Sequence, residues 1–223
     1  MDAEYWQKAW YENRTGFHQK NVNSRLIRYW SDLALPEKTT VFVPLCGKSS
    51  DMLWLHQNGF QVLGIELSVK AVEAFYAENK LEYTEHKKSG FHRFSGVGDA
   101  EGLDVWAGDY FALHAKDIDH CGAFYDRASL IAMEPSMRAD YTVQLTSLTR
   151  PGASGLMLTI EYDQNKMNGP PFSVPDSDVQ ALLGANFEIS VAEHHSGPER
   201  LGNLADRGLE TLDERVYLLK RNP

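Results

Sequence analysis

The chain has 223 residues, 22 basic against 31 acidic, and a formal net charge of −9 at pH 7. That balance argues against nucleic acid or another polyanion as partner, while hydrophobic residues at 43% and charged residues at 24% exclude a disordered chain. No run of about 18 apolar residues occurs, and MDAEYWQKAW lacks the basic-then-apolar order of a signal peptide, so one cytoplasmic globular domain over 1–223, working as a monomer, is expected. Cys46 and Cys121 are too few for a disulfide framework or a tetrahedral zinc site, which fits a reducing compartment. His194 and His195 are adjacent and diverge on a strand, and no HExxH occurs, so no metal is expected.

Along the chain, Trp6 and Trp10 lie four apart on one helical face, and Asn23-Ser24 caps a second helix with Leu26, Ile27, Trp30 and Leu33 inward. Between them WYENRTGFHQ reads as a loop able to fold over something. TTVFVPLC then has the β-branched, continuous character of a strand buried on both faces, and Ser49-Ser50 caps a helix carrying Met52, Leu53 and Leu55 that stops at Gly59. The unit repeats: QVLGIEL is a buried strand, and Ser68 caps a helix with Val69, Val72 and Phe75 inward. EYTEHKK, FHRFSG and LDVWAG have the look of short strands around a glycine-rich connection. GAFYDR is the next strand, about Met137 to Leu148 a helix, and SGLMLTIEY another buried strand. Beyond the loop NKMNGPPFSVP, Asp176 or Ser177 caps a helix with Val179, Leu182 and Leu183, and FEISVAEH and ERVYLL form antiparallel neighbours at the end. This alternation is that of an α/β protein with a parallel sheet covered by helices.

Ligands of such sheets bind beyond the carboxyl ends of the strands, so the residues there carry the functional information. They are Leu45-Cys46-Gly47-Lys48, Glu66, Asp109-Tyr110 and Asp126-Arg127. Glu66 follows the turn glycine Gly47 by 66 − 47 = 19 residues, the place of an acidic side chain that accepts hydrogen bonds from ribose hydroxyls. A carboxylate favoured by the following helix dipole explains the same residue equally well. GKSS resembles the end of a phosphate-binding loop, but Phe42 stands where that loop needs its first glycine, so a nucleoside triphosphatase is excluded. GVGDAEG follows no clear strand and reads as a turn. Cys46 reads as a small buried hydrophobe, since no histidine is placed to activate it.

PLCGKSSDM at 44–52, with WYENRTGFHQ, Glu66, YDRASL, GPPFSVP and ERVYLL in order around it, resembles the thiopurine S-methyltransferases, a branch of the class I S-adenosylmethionine-dependent methyltransferases. The resemblance spans nearly the whole chain. It implies a Rossmann-like, mostly parallel seven-stranded sheet with an antiparallel C-terminal strand, helices on both faces and an N-terminal helical cover over 1–36. It implies S-adenosylmethionine contacts from Trp10, Leu45, Gly47, Glu66, Asp109, Tyr110 and Arg127, with Glu66 on the ribose and Asp109-Tyr110 beside the adenine. Phe17, Arg127, Pro171, Phe172 and Arg200 then face the acceptor, although an insertion before ERVYLL leaves Arg207 as an alternative to Arg200. Trp10 as core, Arg127 as a partner of Asp126, and Leu45 and Tyr110 as plain apolar wall remain the simpler accounts of those residues.

The activity implied is transfer of a methyl group to the sulfur of thiopurines and other aromatic or heterocyclic thiols, with S-adenosylhomocysteine as coproduct. An accessible thiolate makes a dedicated catalytic base unnecessary, and none is assigned. Selenium or tellurium compounds as acceptors, and a non-catalytic nucleotide-binding domain, stay open as alternatives.

Overall fold

A computed structural model describes residues 3–16, 18–118 and 120–223. Helix α1 (Ala3–Tyr11) and α2 (Ser24–Tyr29) precede the first strand, β1 (Thr40–Val43). There follow α3 (Ser50–Gln57), β2 (Gln61–Glu66), α4 (Val69–Glu78), β3 (Tyr83–Lys88), β4 (Phe91–Gly96) and β5 (Leu103–Ala107). The second half contains α5 (Ala115–Ile118), β6 (Cys121–Arg127), α6 (Arg138–Leu148), β7 (Ser154–Glu161), α7 (Asp176–Leu183), β8 (Phe187–Gly197) and β9 (Leu212–Arg221).

All the strands join one sheet in the order β3-β4-β5-β2-β1-β6-β7-β9-β8. β1 pairs in parallel with β2 and β6, β2 with β5 and β6 with β7, whereas β4 and β9 run against their neighbours. The expected sheet is the stretch from β5 to β8, with β9 as its antiparallel strand. The segments at 82–108 add the β3–β4 hairpin to its edge, giving nine strands rather than seven. No periodic apolar signal marks β3, because all six of its residues are exposed.

The sheet separates two apolar layers, as strand alternation requires. Leu26, Trp30, Met52, Leu55, Val72 and Phe75 pack on one face. Tyr141, Leu145, Val179, Leu183 and the β6 residue Phe124 lie on the other. Three helix starts are capped where the sequence places them: Asn23 accepts from Arg25 N, Ser49 from Asp51 N and Ser68 from Ala71 N. Each side chain satisfies an amide that has no partner within its helix.

Three local expectations differ. Ile27 is 52% exposed and Val69 38%, so neither belongs to the buried face of its helix. Leu26 and Trp30, four apart, share the inward face of α2, and Ile27, about 100° round the helix from Leu26, is left outside. Before α7, Pro175 holds the cap position and no side chain caps the helix; Asp176 and Asp178 lie inside its first turn, where the dipole favours them. The strand read from TTVFVPLC ends at Val43, because Leu45 and Gly47 take left-handed φ values of 46° and 54° and turn the chain.

Leu55→Ala, at a fully buried position between α3 and the sheet, is expected to cost roughly 2–5 kcal/mol in urea unfolding, whereas Ile27→Ala should stay within about 0.5 kcal/mol.

Candidate functional site

The strand order reverses at β1, whose neighbours β2 and β6 lead to helices on opposite faces, and a cavity of about 860 Å³ opens at the carboxyl ends of these strands. Its floor is built by one carboxylate. Glu66 ends β2, is 5% exposed, and accepts from Gly47 N at 3.0 Å with one oxygen and from Ser68 N at 2.8 Å with the other. It thereby joins the turn after β1 to the start of α4. These bonds leave further lone pairs on the carboxylate, which lines the cavity. Burial pushes its carboxyl up to about 7, opposed by the backbone amides of Ser68, Gly47 and Leu67.

Trp10 closes the same turn from above. A Cβ built on Gly47 would stand 3.0 Å from Trp10 Cζ2, so the indole rests on a backbone position where only glycine fits without displacement. The end of α1 that carries Trp10 is tied to α4, where Lys70 Nζ donates to Tyr11 O at 3.0 Å and lies 5.3 Å from the Tyr11 ring centre. Leu45, in its left-handed conformation, forms part of the wall.

Beyond β5, Asp109 is exposed and caps the next turn by accepting from Phe111 N at 2.9 Å. Tyr110 is 2% exposed; its hydroxyl donates to Tyr141 O at 3.1 Å and its ring stacks on Tyr141 at 5.0 Å. Tyr141 in turn donates to Asp126 Oδ2 at 2.7 Å. Burial raises the Asp126 carboxyl to about 6, partly countered by the Tyr141 hydroxyl and by the backbone amides of Leu130 and Ser129. Asp126 therefore braces the wall from within the core, while its neighbour Arg127 lines the cavity.

All seven cofactor-side residues expected from the sequence line this one cavity, as do Pro171, Arg200 and Arg207. Phe172 does not. It is buried, donates its amide to Ile131 O at 2.7 Å and fills the space beside Gly169, because the chain turns inward after Pro171. Phe17 lies outside the described residues. The two arginines left open by the sequence both reach the cavity in different ways. Arg207 Nη1 donates to Pro170 O at 2.6 Å and clamps the proline loop, whereas Arg200 lies 3.9 Å from Glu193 and 3.8 Å from Glu214.

Sequence reasoning missed Arg14 and His18, which also line the cavity, as does Lys48 of the turn after β1. Burial and, next, the charge of Lys48 lower the His18 pKa, with Arg127 adding to the effect, so the imidazole is neutral at pH 7. The loop character of WYENRTGFHQ was the available signal for Arg14 and His18, and Lys48 was named with the turn beyond the first strand but given no role. The donor set fits S-adenosylmethionine: a buried carboxylate with spare lone pairs, an aromatic wall at Tyr110 and a cover at Trp10.

A family model described as thiopurine S-methyltransferase matches residues 1–222. The chain is 44% identical over 219 residues to the thiopurine S-methyltransferase of Pseudomonas fluorescens strain SBW25, covering 98% of this chain and 99% of that protein. It is 41% identical over 219 residues to a probable thiopurine S-methyltransferase of Yarrowia lipolytica, covering 98% and 100%. In fold it is similar to a SAM-dependent methyltransferase from Anabaena variabilis, with a TM-score of 0.66, 13% identity, and 99% and 95% of the two chains covered.

The raised Glu66 pKa makes affinity depend on pH. Ribose hydroxyls need the ionised carboxylate as acceptor, so S-adenosylhomocysteine should bind about tenfold more weakly at pH 6 than at pH 8 in calorimetry, and Glu66→Gln should remove most of that dependence. The sign reverses for the stability of the ligand-free protein. A carboxyl raised in the folded state contributes stability below the unfolded value near 4.5 that is lost as pH rises through about 7.

Proposed function

The chain belongs to the thiopurine S-methyltransferase family, and from that premise we propose that it transfers the methyl group of S-adenosylmethionine to the sulfur of a thiopurine or a related aromatic or heterocyclic thiol. The observation that carries this reading is the Glu66 carboxylate, buried and half-satisfied at the switch point of the sheet. The bound donor supplies a methyl group activated by an adjacent sulfonium charge. The remaining work is binding and exclusion of water, which the residues of the cavity divide between its two ends.

At the donor end, Glu66 accepts from the ribose, Tyr110 and Leu45 offer apolar wall, Asp109 keeps an exposed carboxylate beside the adenine position, and Trp10 with the Gly47 turn excludes solvent. At the acceptor end, Pro171 gives a flat apolar surface, and the guanidinium groups of Arg127 and Arg200 favour the acceptor as its thiolate. A thiolate attacks in line without prior proton removal by the protein. For this reason no side chain is assigned as base; His18, neutral and beside Arg127, is a wall residue in this reading.

We read the enzyme further as a cytoplasmic monomer acting on small molecules rather than on nucleic acid or at a membrane. Two free, buried cysteines and the net charge of −9 support this, and among the described residues no helix is long and apolar enough to cross a membrane.

Incubation with S-adenosylmethionine and 6-mercaptopurine should give acceptor-dependent S-adenosylhomocysteine in mass spectrometry; absence of product while the donor still binds would sink the acceptor assignment. Arg127→Ala should lower kcat/KM for the thiol by about tenfold or more, with little change in donor affinity. Trypsin cleavage after Arg14 should slow when S-adenosylhomocysteine is bound, because Arg14 and Trp10 then gain a ligand beneath them.

A further inference from the structure

Glu193 of β8 and Glu214 of β9 project from the same face of the terminal hairpin. In the β8–β9 register Glu193 lies opposite Val216 and Glu214 opposite His195, so the two carboxylates are diagonal neighbours. A bulge between Val191 and Glu193 places Glu193 there; an unbroken ladder would turn it to the other side. Two like charges at this spacing repel, and the structure sets a cation between them. Arg25 of α2, only 10% exposed in its side chain, reaches Glu193 at 3.3 Å and Glu214 at 2.6 Å. Tyr29 donates to the second Glu193 oxygen at 2.8 Å, and Arg28 lies 3.8 Å from it. Burial pushes the Glu193 carboxyl up, but Tyr29, Arg25, Arg200 and Arg28 together hold it below its usual value.

Arg200 belongs to the same cluster on different terms. Its contacts to Glu193 and Glu214 are 3.9 and 3.8 Å, its side chain is 34% exposed, and it lines the cavity. The short contacts of Glu193 are taken by Tyr29 and Arg25 and that of Glu214 by Arg25, so Arg200 is attracted to the pair without being drawn into it. We propose that Arg25 is a positioning residue that occupies the Glu193–Glu214 carboxylate pair and so keeps the Arg200 guanidinium available to an anionic acceptor in the cavity. Without Arg25 the two carboxylates would draw Arg200 into close ion pairs, and its donors would leave the cavity wall. Arg25 itself lines the cavity, with its guanidinium turned to the carboxylate pair, on the helix whose cap, Asn23, is held by Asp51 through a 2.7 Å bond from Asn23 N. The N-terminal cover is thus coupled to acceptor recognition through charge.

This inference rests on the reading of Arg200 as acceptor-facing, and the test separates the two. The affinity of 6-mercaptopurine is measured by calorimetry with S-adenosylhomocysteine present, and kcat and KM by turnover, for the wild type, Arg25→Gln, Arg25→Lys, Arg200→Ala and the Arg25→Gln/Arg200→Ala double variant. Arg25→Gln is expected to weaken acceptor binding and raise its KM by about tenfold, with kcat and S-adenosylhomocysteine affinity changed less than about twofold. Arg25→Lys, which keeps the charge but cannot bridge both carboxylates, should fall between and answers the question should the glutamine variant not fold. Arg200→Ala should match Arg25→Gln, and the double variant should be no worse than Arg200→Ala. Multiplying effects in the double variant, or equal losses of donor and acceptor affinity in Arg25→Gln, would overturn the inference by making Arg25 merely structural. An unchanged acceptor affinity in Arg200→Ala would overturn it by removing Arg200 from the acceptor site. Acceptor binding that follows the expected pattern without turnover would uphold it and locate the failure in the assigned reaction.

Discussion

The site depends on a carboxylate that the fold buries and only half satisfies. Glu66 accepts one amide from the turn after β1 and one from the start of α4, so two loops separated by a helix are set relative to each other by a single side chain. Its burial is costly for a charge, which is why its pKa rises to about 7. Backbone donors lower the cost but leave lone pairs over, and a ligand with paired hydroxyls completes them. The carboxylate therefore organises the turns that form the cavity floor.

Around this point the parallel sheet imposes a division of labour. Strands β5, β2 and β1 bring Asp109, Glu66 and Gly47 to one end of the cavity, and β6 brings Arg127. The antiparallel strand β9 and the loops before it bring Arg200, Arg207 and Glu214 to the other. At the first of these ends the wall is braced by core groups such as the Tyr110–Tyr141–Asp126 chain. The other end is assembled from the proline loop and the 3-10 turns before β9, held by contacts such as Arg207 to Pro170 and by the small apolar cluster around Ile160, Tyr162 and Leu212. Loops of that kind vary without disturbing the sheet that carries them.

The charge pattern of the cavity contrasts with that of the whole chain. A protein with net charge −9 lines one cavity with Arg14, Arg25, Lys48, Arg127, Arg200, Arg207 and Arg215 against Asp51, Glu66, Asp109 and Glu214. Lys48 is paired with Glu78 at 2.5 Å and Arg14 with Glu12 at 2.7 Å, so local carboxylates temper the field near the cover. Among the described residues no carboxylate pairs with Arg207, and the carboxylates near Arg200 are occupied by Arg25. The part of the cavity near Arg200 and Arg207 is in this way the more cationic.

Local sequence determined a large part of this molecule. The caps at Asn23, Ser49 and Ser68, the buried strands before Gly47 and ending at Glu66, and the positions of Asp109 and Arg127 were legible because each depends on a few neighbouring residues and on a periodicity of two or 3.6. The tertiary structure alone decided the exposure of Ile27 and Val69, the burial of Phe172 away from the cavity, the pairing of the exposed strand β3, and the different attachments of Arg200 and Arg207. Each of these rests on a partner distant in sequence: Phe172 on Ile131, Arg207 on Pro170, and Arg25 on carboxylates 168 and 189 positions away (193 − 25 and 214 − 25). Hydrophobic periodicity reports that a face is buried, but not what covers it. A charged side chain declares its partner only when the fold has brought the two together.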